Sequence, residues 1–148
     1  MASNPVPILE IDSLTTVPLG QGVLKTKGVL MCVAVCVNGL IQDNPSIAMT
    51  HIVADPNEFD EAVNLFNDIS QIYIIGGTDD WYGSALFQQI KTKALLKFDI
   101  TKVTSQFNPS NTQEVEGDCF GVDIIFDGEP PIVSYACSPD SYNYPFSP

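Results

Sequence analysis

Residues 29–37 read Val-Leu-Met-Cys-Val-Ala-Val-Cys-Val, an apolar run that is rich in valine. A short run of this composition predicts a central strand that is covered on both faces. Side chains alternate along a strand, so Cys32, Ala34 and Cys36 should share one face and the valines between them the other. We take this strand as the centre of the predicted fold.

The segments that follow predict an α/β arrangement. Residues 46–53 suit a second strand, and a helix should begin at Asp55, a candidate N-cap followed by Pro56. Its apolar residues recur at helical spacing from Phe59 to Ile69. A sheet that includes these strands and is covered by such helices is the natural architecture.

The second half of the chain repeats this alternation of strands and helices. Residues 71–77 predict a buried strand that ends in two glycines, and residues 78–93 a second helix with Ala85, Leu86, Ile90 and Ala94 on its inner face. Residues 95–104 alternate as a half-exposed strand does. Residues 120–127 and 131–136 flank a proline-glycine turn and predict a hairpin.

The predicted fold class is therefore α/β, a single-domain α/β sandwich in which helices cover a mixed sheet. We expect a loose N-terminal segment at 1–19, a catalytic domain at 20–137 and an irregular tail, rich in proline and serine, at 138–148.

The charge balance excludes some partners. Eighteen acidic residues face six lysines, arginine is absent, and the net charge is −12. Such a chain is a poor ligand for nucleic acid or an anionic membrane, because phosphates need neutralising. No apolar run is long enough to insert into a membrane. The N-terminus lacks a secretory pattern, so we expect a cytoplasmic protein.

The four cysteines are expected to be free thiols, because no secretion signal is visible. Cys32 and Cys36 are four residues apart with no second close pair, so we predict no metal site. Cys36 should pack as a small hydrophobe rather than act as a resolving thiol. The same packing role is expected for Cys119 and Cys137, which flank the predicted hairpin.

Cys32 and His51, the only histidine, are candidates for chemistry. A thiol among apolar neighbours is normally inert, but a nearby imidazole can take its proton. The imidazole in turn needs an acceptor on its other nitrogen, and Thr26 is one of many hydroxyls that could serve. The alternative from the residues alone is a buried thiol and an unrelated imidazole.

A wider pattern surrounds these residues. Thr26, Gly28 and Cys32 are followed by Val-Ala-Val-Cys at 33–36. This segment resembles the CheD-type chemoreceptor glutamine deamidases. In that family a threonine, a glycine two places later and a catalytic cysteine four places after that precede the same strand. The cytotoxic-necrotising-factor class of toxin deamidases is a more distant resemblance.

Two further stretches extend the likeness. Residues 47–56 read Ile-Ala-Met-Thr-His-Ile-Val-Ala-Asp-Pro and are similar to the family's histidine segment, with Met49 and His51 in place. Residues 119–135 are similar to its closing strand, turn and apolar strand. The likeness covers about residues 20–135 in the order of elements.

The resemblance implies a CheD-like fold and a protein-glutamine deamidase, which hydrolyses a glutamine side chain to glutamate and ammonia through a thioester. Cys32 would be the nucleophile, His51 the base and Thr26 the acceptor that orients His51. No metal or organic cofactor is implied. The partner would be a protein with a reactive glutamine: a chemoreceptor in chemotaxis, or a host signalling protein if the chain is a secreted effector that acts in a host cytosol.

Departures from the family pattern support an alternative. Leu30 and Met31 replace small residues before the cysteine, and the closing strand lacks the family's arginine near Val122. Bulk before Cys32 would alter the turn that presents the thiol and the amides that hold an oxyanion. The alternative is a catalytically inactive binding or regulatory module on a deamidase-like scaffold.

Gly76 and Gly77 also admit two interpretations. They permit a tight turn from strand to helix. A strand that ends in Ile-Gly-Gly also resembles the nucleotide-binding segment of dihydrofolate reductases, but Asp79 and Asp80 would repel a pyrophosphate there. We therefore expect a structural turn.

Overall fold

The computed structural model describes residues 6–78, 84–107, 122–128 and 130–137, with only the main chain for 132–137. The strands in this part of the chain are β1 (Ile8–Glu10), β2 (Thr15–Pro18), β3 (Val23–Val29), β4 (Val33–Ile41), β5 (Asn44–Ile52), β6 (Asp68–Gly76), β7 (Val103–Gln106), β8 (Val122–Phe126) and β9 (Ile132–Cys137). The helices are α1 (Glu58–Val63), α2 (Ala85–Lys97) and a 3₁₀ helix at Ile100–Lys102.

The strands form two mixed sheets. The five-stranded sheet has the order β2-β5-β4-β6-β7, and the four-stranded sheet has the order β1-β3-β8-β9. Each sheet contains one parallel pair, β6 with β7 and β1 with β3. The predicted mixed α/β class is confirmed, but the expectation of one sheet was wrong, because the last hairpin joins β3 instead of extending the sheet around β4.

Two cores separate three layers. One core fills the space between the sheets and includes Leu24, Ala34, Cys36, Met49, Ile124 and Phe126. The other lies between the five-stranded sheet and the helices and includes Val33, Val35, Val37, Phe59, Ile74 and Ile90. Strand β4 faces both cores, so its successive side chains are buried alternately in one core and in the other. This explains its continuous apolar sequence.

The central strand begins later than predicted. The apolar run at 29–37 spans the end of β3, a bend at 30–32 and the start of β4. Gly28 has a φ of 70°, and the pairing of β3 with β8 shifts register between Thr26 and Val29. This bulge turns the chain out of one sheet and into the other. The two faces of β4 are as predicted.

The helices are shorter than their apolar patterns indicated. Helix α1 has six residues, and Ile69, assigned to its apolar face, lies in β6. Helix α2 buries Ile90 and Ala94 as predicted, but Ala85 is exposed. Residues 79–83, in the first part of the predicted second helix, lie outside the described residues.

The predicted strand at 95–104 was mostly wrong. Helix α2 continues to Lys97, a 3₁₀ helix follows, and only Val103 begins a strand. Leu96 is 82% exposed at the end of the helix, so its apolar character does not mark a buried face. Alternation over so few residues does not distinguish the two structures.

The predictions for the two ends of the chain have different outcomes. The segment 1–19, expected to be loose, contributes β1 to the four-stranded sheet and β2 to the five-stranded sheet. The predicted hairpin is confirmed as the antiparallel pair of β8 with β9. The tail at 138–148 and Cys119 lie outside the described residues.

Candidate active site

The candidate site contains a side-chain hydrogen bond that joins the two sheets. Thr26 lies on β3 and His51 on β5, and the Thr26 Oγ1 atom is 2.7 Å from His51 Nδ1. Thr26 is two residues after Leu24, whose side chain is in the core between the sheets, so both side chains point towards β5. Thr26 is almost completely buried.

Cys32 reaches the same place from the bend that directly precedes β4. Ala34, the second residue of β4, pairs with His51 across the ladder. Since side chains alternate, Cys32 comes to the same side as Ala34 and therefore as His51. Cys32, His51 and Thr26 together line one open depression of about 560 Å³, a volume in the range of ligand sites. The structure thus brings together the three predicted site residues.

The glycine pair holds the main chain of Cys32. The Gly77 N–H donates to the Cys32 carbonyl at 3.0 Å. A Cβ added to Gly76, whose φ is 145°, would lie 2.2 Å from the Cys32 carbonyl oxygen. The pair therefore supports the main chain of Cys32 directly. Our sequence analysis missed this role, although glycine inside a strand is a known signal of a close main-chain approach.

Burial disfavours charge on both reactive groups. Desolvation raises the pKa of the Cys32 thiol, and the Cys32 N–H, which bonds to the sulfur, lowers it by less. Desolvation also lowers the pKa of His51. No hydrogen bond joins Cys32 to His51 among the described residues. Burial therefore favours the neutral thiol and the neutral imidazole over their charged forms.

The rim of the depression carries charges of both signs. The Lys27 Nζ atom is 3.4 Å from a Glu10 carboxylate oxygen, and Lys25 Nζ is 3.7 Å from Asp123. Asp12 also lines the depression. The lysines therefore have acidic partners, and the rim has no excess of positive charge despite two of the chain's six lysines.

The bulky residues before Cys32 do not close the site. Met31 is half exposed, and it does not line the depression in the described part of the chain. Val53 lines the rim and is 68% exposed. The thiol therefore opens towards a partly apolar rim instead of lying beneath Met31.

The other cysteines have no comparable environment among the described side chains. Cys36 is fully buried in the core between the sheets, and desolvation strongly raises its pKa. This burial confirms its predicted packing role. The side chains of Cys119 and Cys137 lie outside the described residues.

The described residues form neither a metal-binding cluster nor a membrane-spanning helix. No group of three or more histidine, cysteine or acidic side chains is arranged to hold a metal ion there. The described helices include none that is long and apolar enough to cross a membrane.

No model of a known protein family matches the chain, and no curated protein matches it either. The geometry of the site and the sequence pattern around it are therefore what indicate a function for the chain.

Proposed function

We propose that the protein is a cysteine-dependent protein-glutamine deamidase with a CheD-like fold. The observation that carries the proposal is the Thr26–His51 hydrogen bond beside Cys32 in one open depression. A nucleophile, a base and a group that orients the base are the parts that thioester chemistry requires.

The first half-reaction forms a thioester. His51 takes the proton of the Cys32 thiol as the sulfur attacks the carboxamide carbon of a glutamine. The carbon–nitrogen bond then breaks, and His51 returns the proton to the departing nitrogen. Ammonia leaves, and the glutamyl carbonyl remains bonded to the Cys32 sulfur. No redox partner or cofactor takes part.

The second half-reaction restores the thiol. His51 removes a proton from a water molecule, whose oxygen attacks the thioester carbonyl. The carbon–sulfur bond breaks, the thiolate regains its proton from His51, and a glutamate is released. The reaction consumes one water molecule and produces one ammonia molecule.

The main chain of Cys32 supplies a candidate oxyanion donor. Its N–H lowers the pKa of the Cys32 thiol, so it interacts with the sulfur beside which the tetrahedral oxygen would develop. One such donor is typically worth about 3–4 kcal/mol of transition-state stabilisation. The Gly77 N–H serves a different purpose, because it is already bonded to the Cys32 carbonyl.

Burial disfavours the charged forms of Cys32 and His51, so the proposed proton transfer occurs during attack and does not start from a preformed ion pair. Catalytic hydrogen bonds in unliganded sites are often long and tighten when substrate binds. A glutamine side chain in the depression would exclude water and favour a hydrogen bond between the Cys32 thiol and the His51 imidazole. The substrate would be a chemoreceptor-like protein in a bacterial cytoplasm or a signalling protein in a host cytosol.

The second candidate is a binding or regulatory module that keeps the scaffold without activity. The raised pKa of Cys32 and the lack of a hydrogen bond to His51 among the described residues favour it. The two candidates differ in one measurable property, the dependence of thiol reactivity on the imidazole.

Site-resolved alkylation tests this difference. The native protein is treated with iodoacetamide from about pH 5 to about pH 9, and each cysteine is followed by peptide mass spectrometry. His51→Gln retains a polar side chain of similar size but removes the base. Cys36 is the internal control, because its burial should protect it in every variant.

The deamidase proposal expects Cys32 to react faster than Cys36 and to slow in His51→Gln near neutral pH. Ammonia release from glutamine-containing peptides, with wild type and Cys32→Ala compared, then tests turnover. A Cys32 rate that is indifferent to the loss of His51, together with no ammonia release above the Cys32→Ala background, would favour the inactive module.

A further inference from the structure

The Thr26 hydroxyl has a second polar neighbour. Its Oγ1 atom is 3.4 Å from the main-chain carbonyl of Ile11 and 2.7 Å from His51 Nδ1. A hydroxyl has one hydrogen to give and lone pairs to receive, whereas a carbonyl only accepts. If the hydroxyl hydrogen points at Ile11, the imidazole must donate its own hydrogen to the hydroxyl.

We propose that the Ile11 carbonyl is a positioning group that fixes the tautomer of His51. It accepts the Thr26 hydrogen, so Thr26 accepts from the Nδ1–H of His51 and leaves Nε2 unprotonated. An unprotonated Nε2 is the atom that can take the Cys32 proton. This inference rests on the proposed function and adds the N-terminal segment to the site.

The Ile11 carbonyl is held firmly enough for this role. The Ile11 N–H donates to the Lys25 carbonyl at 2.8 Å, next to Thr26 on β3. The Ile11 side chain is only 8% exposed and packs in the core between the sheets. Both contacts attach the residue to the strand that carries Thr26, and Ile11 itself lines the depression.

In the opposite arrangement, the hydrogens of the Thr26 hydroxyl and the His51 ring take other positions. There the Thr26 hydroxyl donates to an unprotonated Nδ1, the imidazole hydrogen is on Nε2, and Nε2 cannot accept a proton from Cys32. The position of one hydrogen on His51 therefore decides between the two arrangements.

Nitrogen NMR of the imidazole reads this position directly. His51 is the only histidine, so ¹⁵N-histidine labelling gives one pair of ring signals. The measurement uses Cys32→Ala above the imidazole titration, where the ring is neutral. We expect a protonated Nδ1 and an unprotonated Nε2. A protonated Nε2 as the major form would overturn the proposal.

Variants at Thr26 give the matched control. Thr26→Ser retains the hydroxyl, so the Nδ1–H tautomer should persist. Thr26→Val retains the shape without the hydroxyl, and the Nδ1–H population should fall towards that of a free imidazole. Equal tautomer populations in the two variants would contradict a role for the hydroxyl.

The Ile11 carbonyl has its own signal. The chain contains one Ile-Asp pair, Ile11-Asp12, so carbonyl-¹³C isoleucine with ¹⁵N-aspartate yields a single filtered signal for that carbonyl. The signal should move in Thr26→Val and stay near its wild-type position in Thr26→Ser. An Ile11 signal that is the same in both variants would refute the hydrogen bond.

These readouts need no substrate and no thiol. A wrong tautomer together with ammonia release that depends on Cys32 would reject the Ile11 role and leave the deamidase proposal standing. The expected tautomer without ammonia release would support the Ile11 role and reject the deamidase proposal.

Discussion

Thr26 and His51 are 25 residues apart in the chain and belong to different sheets, yet their side chains meet at 2.7 Å. Each side chain lies on the inner face of its own sheet, so the contact forms only when the two sheets pack in their native positions. Cys32 follows the bulge that carries the chain from one sheet to the other. The candidate site is therefore at the junction of the two sheets.

Thr26→Ser and Thr26→Val should have similar stability and different chemistry. Serine loses one buried methyl, about 1 kcal/mol, and valine leaves the Ile11 carbonyl and the imidazole without the hydroxyl, about 1–2 kcal/mol. Urea unfolding measures both losses. We expect Thr26→Ser to retain the His51-dependent alkylation of Cys32 and Thr26→Val to lose it. Equal alkylation rates in two folded variants would contradict this prediction.

Gly76→Ala should disturb the site through the Cys32 main chain. The new Cβ would collide with the Cys32 carbonyl, and the positive φ adds strain, for a total loss of about 3 kcal/mol or more in the free energy of unfolding. Gly20→Ala is the control, because Gly20 also has a positive φ but nothing within 4 Å of an added Cβ. It should lose only about 1–2 kcal/mol and leave Cys32 alkylation unchanged.

Acidification should destabilise the fold through His51. Its pKa in the folded protein lies below the ordinary 6.5, so the unfolded chain takes up the proton first as the pH falls. Its contribution to stability is complete above about pH 6.5 and is lost as the pH falls through the window down to the folded pKa. Urea unfolding at about pH 7.5 and about pH 5.5 measures this loss, and the carboxylates titrate mostly below that window.

The same comparison in His51→Gln isolates the histidine. Glu10, Asp12, Lys25 and Lys27 line the same depression and are present in both proteins, so their contribution cancels. The variant should lose less stability between the two pH values than the wild type. An equal loss would mean that the burial of His51 does not penalise its charge.

Met31→Ser should have little effect on access to the thiol. Met31 is half exposed and is not among the residues that line the depression, so removing its bulk opens no path to Cys32. Alkylation of Cys32 should stay close to the wild-type rate, and stability should change by less than about 0.5 kcal/mol. A large increase in the alkylation rate would show that Met31 shields the thiol.

Local patterns predicted much of the central layer. Alternation and turn residues correctly predicted three features: the valines of β4, the strand that contains His51, and the final hairpin. The division of the strands between two sheets was not predictable from such patterns, because apolar alternation says which residues are buried but not which core they enter. The 29–37 run is the clearest case, since it continues through a bend without any polar break.

The site was predictable in part. Thr26, Cys32 and His51 were selected from a motif and are brought to one depression. Ile11 and Gly76 were not selected, because their contributions are main-chain contacts to residues distant in sequence, and neither side chain indicates them. The first segment was expected to be loose for a related reason. All three residues of β1 are exposed, so no buried face marks the strand in the sequence. The strand is defined by its pairing with β3.

The register shift in β3 between Thr26 and Val29 marks the point where the chain leaves one layer for the other. Because the chain changes sheets there, Thr26 belongs to one layer, His51 belongs to the other, and Cys32 lies in the bend that leads from one to the other. A motion that separates the layers slightly would leave every ladder of main-chain hydrogen bonds intact and still break the contact between Thr26 and His51. The proposed deamidase would then be active only while the two layers are closed, and a compound that separates them would inhibit it without contacting the thiol.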